Sequence, residues 1–137
     1  MLTIDREGER LGLTIGSVVS LSLEPPLVGV SVAKEAAMHE LLRAAGEFAL
    51  SFLAGDQEAV AQHFARGVPP FAHWQGIPLR ESHGAPLIER ALGWVRCRAT
   101  AAHAAGDHTF FVGEITWVEI GRGGPALVHV GQGYLSL

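Results

Sequence analysis

The run from Gly12 to Val32, GLTIGSVVSLSLEPPLVGVSV, limits the fold more than any other part of this chain. Leu11, Leu13 and Ile15 alternate with small or polar residues, the period of a strand with one buried face. Glu24-Pro25-Pro26 stops that segment, because proline lacks the N–H that a ladder needs. A second strand-like run, Leu27 to Val32, follows at once. Thr14, Ser17, Ser20 and Ser22, with Gly12 and Gly16, add small hydroxyls and accessible backbone N–H groups. Such a surface hydrogen-bonds a flat polar ligand or a phosphate. An ordinary hairpin with a Ser-rich solvent face fits the same pattern.

Length and composition narrow the classes. The 137 residues make one domain, 48% apolar and 18% charged, as in soluble globular proteins. A core this small has little room for a large cofactor, so a cleft or subunit interface is the expected place for one. The net charge of −4, without a run of Lys or Arg, gives no footprint for nucleic acid. Cys97 is the single cysteine, which excludes an internal disulfide and fits a reducing compartment. No apolar run approaches the ~18 residues of a membrane span, and no signal-like N-terminus is seen. The expectation is a cytoplasmic protein with no membrane partner.

Along the chain, Leu2 to Ile4 reads as the tail of a first strand, with Asp5 to Glu9 as its turn. Leu11 to Val19 and Leu27 to Val32 read as strands. Met38, Leu41, Leu42 and Ala45 mark a short amphipathic helix closed by Gly46. Phe48, Leu50 and Phe52 alternate as in a half-buried strand. Asp56 is the expected N-cap of a second helix with Val60 and Phe64 as its stripe and Gly67 as its end. Residues 67–86 are loop-rich, either a functional flap or a surface connection. Leu92–Ala102, Thr109–Ile120, Leu127–Val130 and Tyr134-Leu135 complete a β-rich C-terminal third. Small helices among six or seven strands point to a mainly β single domain, most simply a barrel.

Motif searches exclude several chemistries. No G-x-G-x-x-G follows a strand, and there is no Walker loop, H-E-x-x-H or C-x-x-C. His103, Asp107 and His108 are the best metal cluster, but no tight set of three or four ligands is visible, so no metal is expected. Cys97, on a strand, reads as a small core residue, and Trp94 and Trp117 as core or interface aromatics.

Five segments in order, across residues 10–135, resemble the flavin reductase-like, FMN-binding split-barrel family. They are the opening run; Phe48 to Gln57 with Phe64-Ala65; Pro86-Leu87-Ile88 with Ala91 to Cys97; Gly106 to Ile115; and Pro125 to Val128 with Gly133-Tyr134. The resemblance implies a split β-barrel homodimer, spanning residues 1–137, that holds FMN or FAD near the dimer interface. It implies flavin contacts at Thr14, Ser17, Ser20, Leu21 and Ser22, and a ring-lining segment at Ser51, Phe52, Leu53 and Ala54, with Gln57 and Phe64 following. Lys34 falls in the phosphate-side segment, and His108 matches a histidine near the flavin and nicotinamide.

Two departures accompany the likeness. Ala33-Lys34-Glu35-Ala36-Ala37 stands where many relatives carry Arg, Ser or Thr for the phosphate, leaving helix N–H groups near Ala36 to Met38 to serve. The chain is also N-terminally short relative to the family pattern. The implied activity is an NAD(P)H-dependent flavin oxidoreductase, with hydride passing from NADH or NADPH to flavin N5 and the reduced flavin supplied to a flavin-dependent monooxygenase. His108 would position rings rather than act as an obligatory acid or base. Rival readings are a flavin-binding electron carrier with little NAD(P)H activity, and a barrel kept as a structural module.

Overall fold

A computed structural model describes residues 1–65 and 70–137. Strands β1 (Leu2–Arg6), β2 (Glu9–Leu13), β3 (Val18–Leu23) and β4 (Pro26–Ala33) lead into helix α1 (Ala37–Ala45). Then come β5 (Glu47–Phe52), helix α2 (Glu58–Ala65), a 3-10 turn at Pro70–Ala72 and the long strands β6 (Gly93–Ala105) and β7 (His108–Ile120). β8 (Leu127–Val130) and β9 (Gly133–Ser136) end the series. Among the described residues, seven strands form one antiparallel sheet in the order β2-β1-β5-β6-β7-β4-β3, and β8 and β9 pair only with each other. The mainly β reading with two short helices holds.

The sheet's two edge strands, β2 and β3, are consecutive in the chain, so the link between them draws the edges together and curls the sheet around a core. The long β6–β7 pair makes this possible. β5 pairs with Gly93–Arg98 of β6, whereas β4 pairs with His108–Glu114 of β7. Register shifts between Arg96 and Cys97 and between Ala99 and Ala101 fall along this pair, where bulges bend and twist a strand. The enclosed core joins Leu2 and Ile4 of β1 to Val30 and Val32 of β4, Phe48 of β5 and Phe111 of β7, with Met38 and Leu42 of α1 packed on it.

Three local expectations are corrected. Leu11–Val19 is not one strand: it breaks at residues 14–17, because Thr14 and Ser17 turn their hydroxyls onto backbone groups elsewhere. Thr14 Oγ1 donates to the Ala61 carbonyl at 2.7 Å, and Ser17 Oγ donates to the Ser31 carbonyl at 3.0 Å while accepting from its N–H at 3.2 Å. β5 is not half-buried. Phe48, Ala49, Leu50 and Ser51 are all buried, since the strand lies between β1 and β6 and a second cluster (Ala85, Leu87, Ala91, Trp94) covers Ala49 on its other face.

Nor does Asp56 cap α2. Gln57 holds that place, its carbonyl accepting from Val60 N and Ala61 N at 3.1 and 3.2 Å, while the Asp56 carboxylate is engaged by Arg122. The expected helix end at Gly67 lies outside the described residues. β6 starts at Gly93 and runs on to Ala105, three residues beyond the expected end. α1 closes as read, on Gly46 with φ 72° and its N–H on the Leu42 carbonyl.

Gly113 of β7 lets Phe48 lie flat across the core: a Cβ there would meet Phe48 Cζ at 2.5 Å and Cys97 Cβ at 2.9 Å. Overpacking of this kind costs about 1–3 kcal/mol, so Gly113→Ala should lower the urea midpoint without changing the slope of the transition. Cys97 is 2% exposed, and burial pushes its thiol up to about 12. The native protein should therefore resist thiol reagents at pH 8 and react only after unfolding, as a colorimetric thiol assay with and without denaturant would show.

Candidate functional site

A cleft of about 680 Å³ opens at one end of the curled sheet. One wall is the β2–β3 link and the start of β3 (Thr14, Ile15, Gly16, Val18), and the facing wall is the end of β5 and its continuation (Leu50 to Leu53). Ala61 and Ala65 of α2 contribute small side chains, and the β8–β9 hairpin closes a further side with Leu127, Val128, His129 and Tyr134. The volume lies in the range, roughly 300–1,000 Å³, of small-molecule and cofactor sites.

Each wall is fixed by hydrogen bonds made away from the cleft. Thr14 commits its hydroxyl to α2, so its part of the link presents mostly backbone. Gly16 faces open space, since a Cβ there would have nothing within 4 Å. Ser51 Oγ accepts from Ile88 N at 3.1 Å and its own N–H donates to the Met1 carbonyl at 2.9 Å, which leaves Ser51 1% exposed. Phe52, by contrast, is 43% exposed and lines the cleft.

The hairpin is not part of the main sheet, and its base is held at residues 53–56. Leu127 N donates to the Leu53 carbonyl at 3.1 Å, Gly55 N to the Pro125 carbonyl at 2.8 Å, and Ala54 bridges Ala126. Arg122, just before the hairpin, hydrogen-bonds the Asp56 carboxylate, which holds that carboxyl below its ordinary range.

Of the residues that the resemblance implicates, the structure brings Thr14, Ser51, Phe52 and Leu53 together around the cleft. Ala54 is buried just behind it, and its N–H donates to Gln57 Oε1 at 3.0 Å. Gln57 is itself a buried brace, because its Nε2 donates to the Glu89 carbonyl at 2.8 Å. Phe64 is 3% exposed and packs among His63, His73 and Trp74 with ring centroids 4.9–5.0 Å away. Both side chains are occupied within the fold and do not line the cleft.

Ser17 flanks the cleft between Gly16 and Val18. Ser20, Leu21 and Ser22 lie farther along β3, an edge strand whose register shifts between Ser20 and Ser22. Lys34 and His108 share a different corner. Lys34 N donates to the Asp107 carbonyl at 2.9 Å, and His108 Nδ1 lies 2.7 Å from Asp107 Oδ1. This hydrogen bond is the main cause of an Asp107 carboxyl held below its ordinary value. His108 pairs with Ala105 at one end of β6, while Ser51 pairs with Trp94 near the other. Ser17 connects the two regions, since its partner Ser31 stands two residues before Ala33, the residue that pairs with His108.

His129 and Tyr134 were not among the residues the resemblance implicated. β8 and β9 are legible as strands, but no spacing in the sequence shows that they fold back onto residues 53–55.

The fold and site define a small, mainly β domain whose curled sheet holds a ligand-sized cleft between its edge link and a central strand. The family model for the flavin reductase-like domain matches residues 1–137. The chain is 42% identical over 129 residues, 94% of its length and 80% of the relative's, to the reductase component of 4-hydroxyphenylacetate 3-monooxygenase from Thermus thermophilus. It is 43% identical to an NADH:riboflavin 5′-phosphate oxidoreductase from Streptomyces pristinaespiralis, over 90% of this chain and 69% of that one. Its structure superposes with a TM-score of 0.89 on an NADH:FAD oxidoreductase from Streptomyces globisporus in complex with NAD and FAD fragments, at 34% identity over 97% of this chain and 80% of the other. The chain belongs to the flavin reductase-like domain family.

Among the described residues no group of three His, Cys, Asp or Glu side chains is placed to hold a metal ion, and no helix is long and apolar enough to cross a membrane. If the cleft takes a flat ring, a side chain at Gly16 should fill it without strain. Gly16→Leu is expected to weaken FMN binding at least 10-fold by fluorescence titration while leaving the thermal midpoint unchanged.

Proposed function

We propose that this chain is an NAD(P)H-dependent flavin oxidoreductase whose flavin ring occupies the cleft and whose reduced product serves a monooxygenase partner. The observation that carries this is the meeting of two segments distant in sequence. Residues 14–18 and 50–53, which contain Thr14, Ser17, Ser51, Phe52 and Leu53 of the flavin-contacting positions implied by the resemblance, form opposite walls of one cofactor-sized cleft. The relatives' named activities supply the reaction class.

The residues present fit such a ring. Phe52 offers an exposed apolar face, Gly16 lets the ligand approach the backbone, and the small Ala61 and Ala65 leave width. A bound flavin would supply the hydride acceptor, so the protein's contribution is positioning and electrostatics. Rigid walls would favour the approach of nicotinamide to the flavin, a proximity effect. Lys34 and the N-terminus of α1, where Ala36 makes no side-chain cap, would hold the phosphate of such a ligand. His108, at that corner, would position the nicotinamide rather than act as an obligatory acid or base.

A homodimer in the cytoplasm completes the proposal. Val19, Leu21 and Leu23 on the edge strand β3 are 44%, 44% and 88% exposed, and an apolar edge of that kind calls for a cover. A second copy seated there places the flavin near the interface.

Purified protein incubated with NADH and either FMN or FAD provides the test, with nicotinamide absorbance as the readout. The proposal expects flavin-dependent NADH oxidation that is negligible without added or bound flavin. Tight flavin binding without turnover would favour an electron carrier, and neither binding nor turnover would remove the flavin reading altogether.

A further inference from the structure

The β8–β9 hairpin is tied to the rest of the chain at its base, and its two rings project from the free part. His129 and Tyr134 stand directly opposite each other across the pair, with ring centroids 5.1 Å apart and planes at 56°. Both line the cleft, together with Leu127 and Val128 of β8. A two-stranded hairpin gains little stability by itself. The backbone bonds to Leu53 and Gly55 and the Asp56–Arg122 pair hold this one in place. Gly55 also permits close contact, because a Cβ there would collide with Ser136.

A pair of adjacent rings, His129 exposed and Tyr134 half-buried, facing a cleft that already holds the exposed Phe52, is a surface suited to a planar aromatic ligand. Ser17, Lys34 and the α1 N-terminus lie outside the residues that line the cleft, so the hairpin faces the space assigned to the ring rather than to the tail.

We infer that His129 and Tyr134 form the third wall of the flavin site and contact the isoalloxazine ring itself, a role that rests on the functional reading above. Tyr134 is a binding residue through its aromatic face, not its hydroxyl, and His129 orients it. The ligand class they select is the tricyclic ring common to riboflavin, FMN and FAD, irrespective of phosphate or adenine.

The test is a set of equilibrium fluorescence titrations with riboflavin, FMN and FAD on the wild-type chain and on Tyr134→Ala, Tyr134→Phe, His129→Ala and Lys34→Ala. The inference expects Tyr134→Ala to raise Kd about 10-fold or more, by a similar factor for all three flavins, and His129→Ala to raise it by a smaller common factor. Tyr134→Phe should retain wild-type affinity, which a hydroxyl-dependent role would not allow. Lys34→Ala should weaken FMN and FAD but leave riboflavin unchanged. Loss confined to FAD would place the rings against the adenine, and loss confined to FMN and FAD would place them against phosphate; either overturns the inference. Unchanged affinities in both Ala variants overturn it as well while leaving the reductase reading intact. A wild-type chain that binds no flavin overturns both. If Tyr134→Ala proves unfolded by circular dichroism, Tyr134→Leu, which preserves bulk without the aromatic face, decides the same question by the same titrations.

Discussion

Everything in this structure depends on how four residues, 14–17, link the two edge strands of one sheet. A seven-stranded antiparallel sheet left open would have two unpaired edges and no enclosed core. Here the edges belong to consecutive strands, and the hydroxyls of Thr14 and Ser17 pin the link between them to α2 and to β4. The same hydrogen bonds that end β2 early therefore fix the path of the link between the two edge strands and leave a stretch of backbone facing a cleft. The fold and the site have a common cause.

That cause was only half legible in the sequence. The hydroxyls of Thr14 and Ser17 were visible as a polar surface between strands, but apolar alternation at Leu11, Leu13 and Ile15 ran on without a break and read as one strand. Side-chain bonds to backbone distant in sequence do not alter local periodicity, so the break could not be seen. The same limit explains Asp56, a good capping residue by local preference, which a long-range partner in Arg122 draws away. Local signals succeeded where local physics decides, as at Gly46, whose left-handed conformation ends α1.

The candidate site divides along similar lines. Ser51 to Leu53 reach the cleft because an antiparallel neighbour fixes the end of β5, whereas Gln57 and Phe64, three and eleven residues beyond Ala54 and Leu53, serve α2 and its aromatic surroundings. A motif therefore marked a segment correctly without distinguishing the residues that face the ligand from those that brace them. The His129–Tyr134 pair shows the reverse. Its aromatic rings become meaningful only once the hairpin base is bonded to Leu53 and Gly55, a contact with no signature in the order of residues.

The central claim is that residues 14–18 and 50–53 enclose the flavin ring. It is tested most directly by following backbone amide resonances of the intact, isotope-labelled protein during titration with FMN. The account predicts the largest changes at residues 14–18, 50–54 and 127–134, with smaller ones near Lys34. Changes confined to the Lys34, Asp107 and His108 corner, with the cleft residues unmoved, would contradict it.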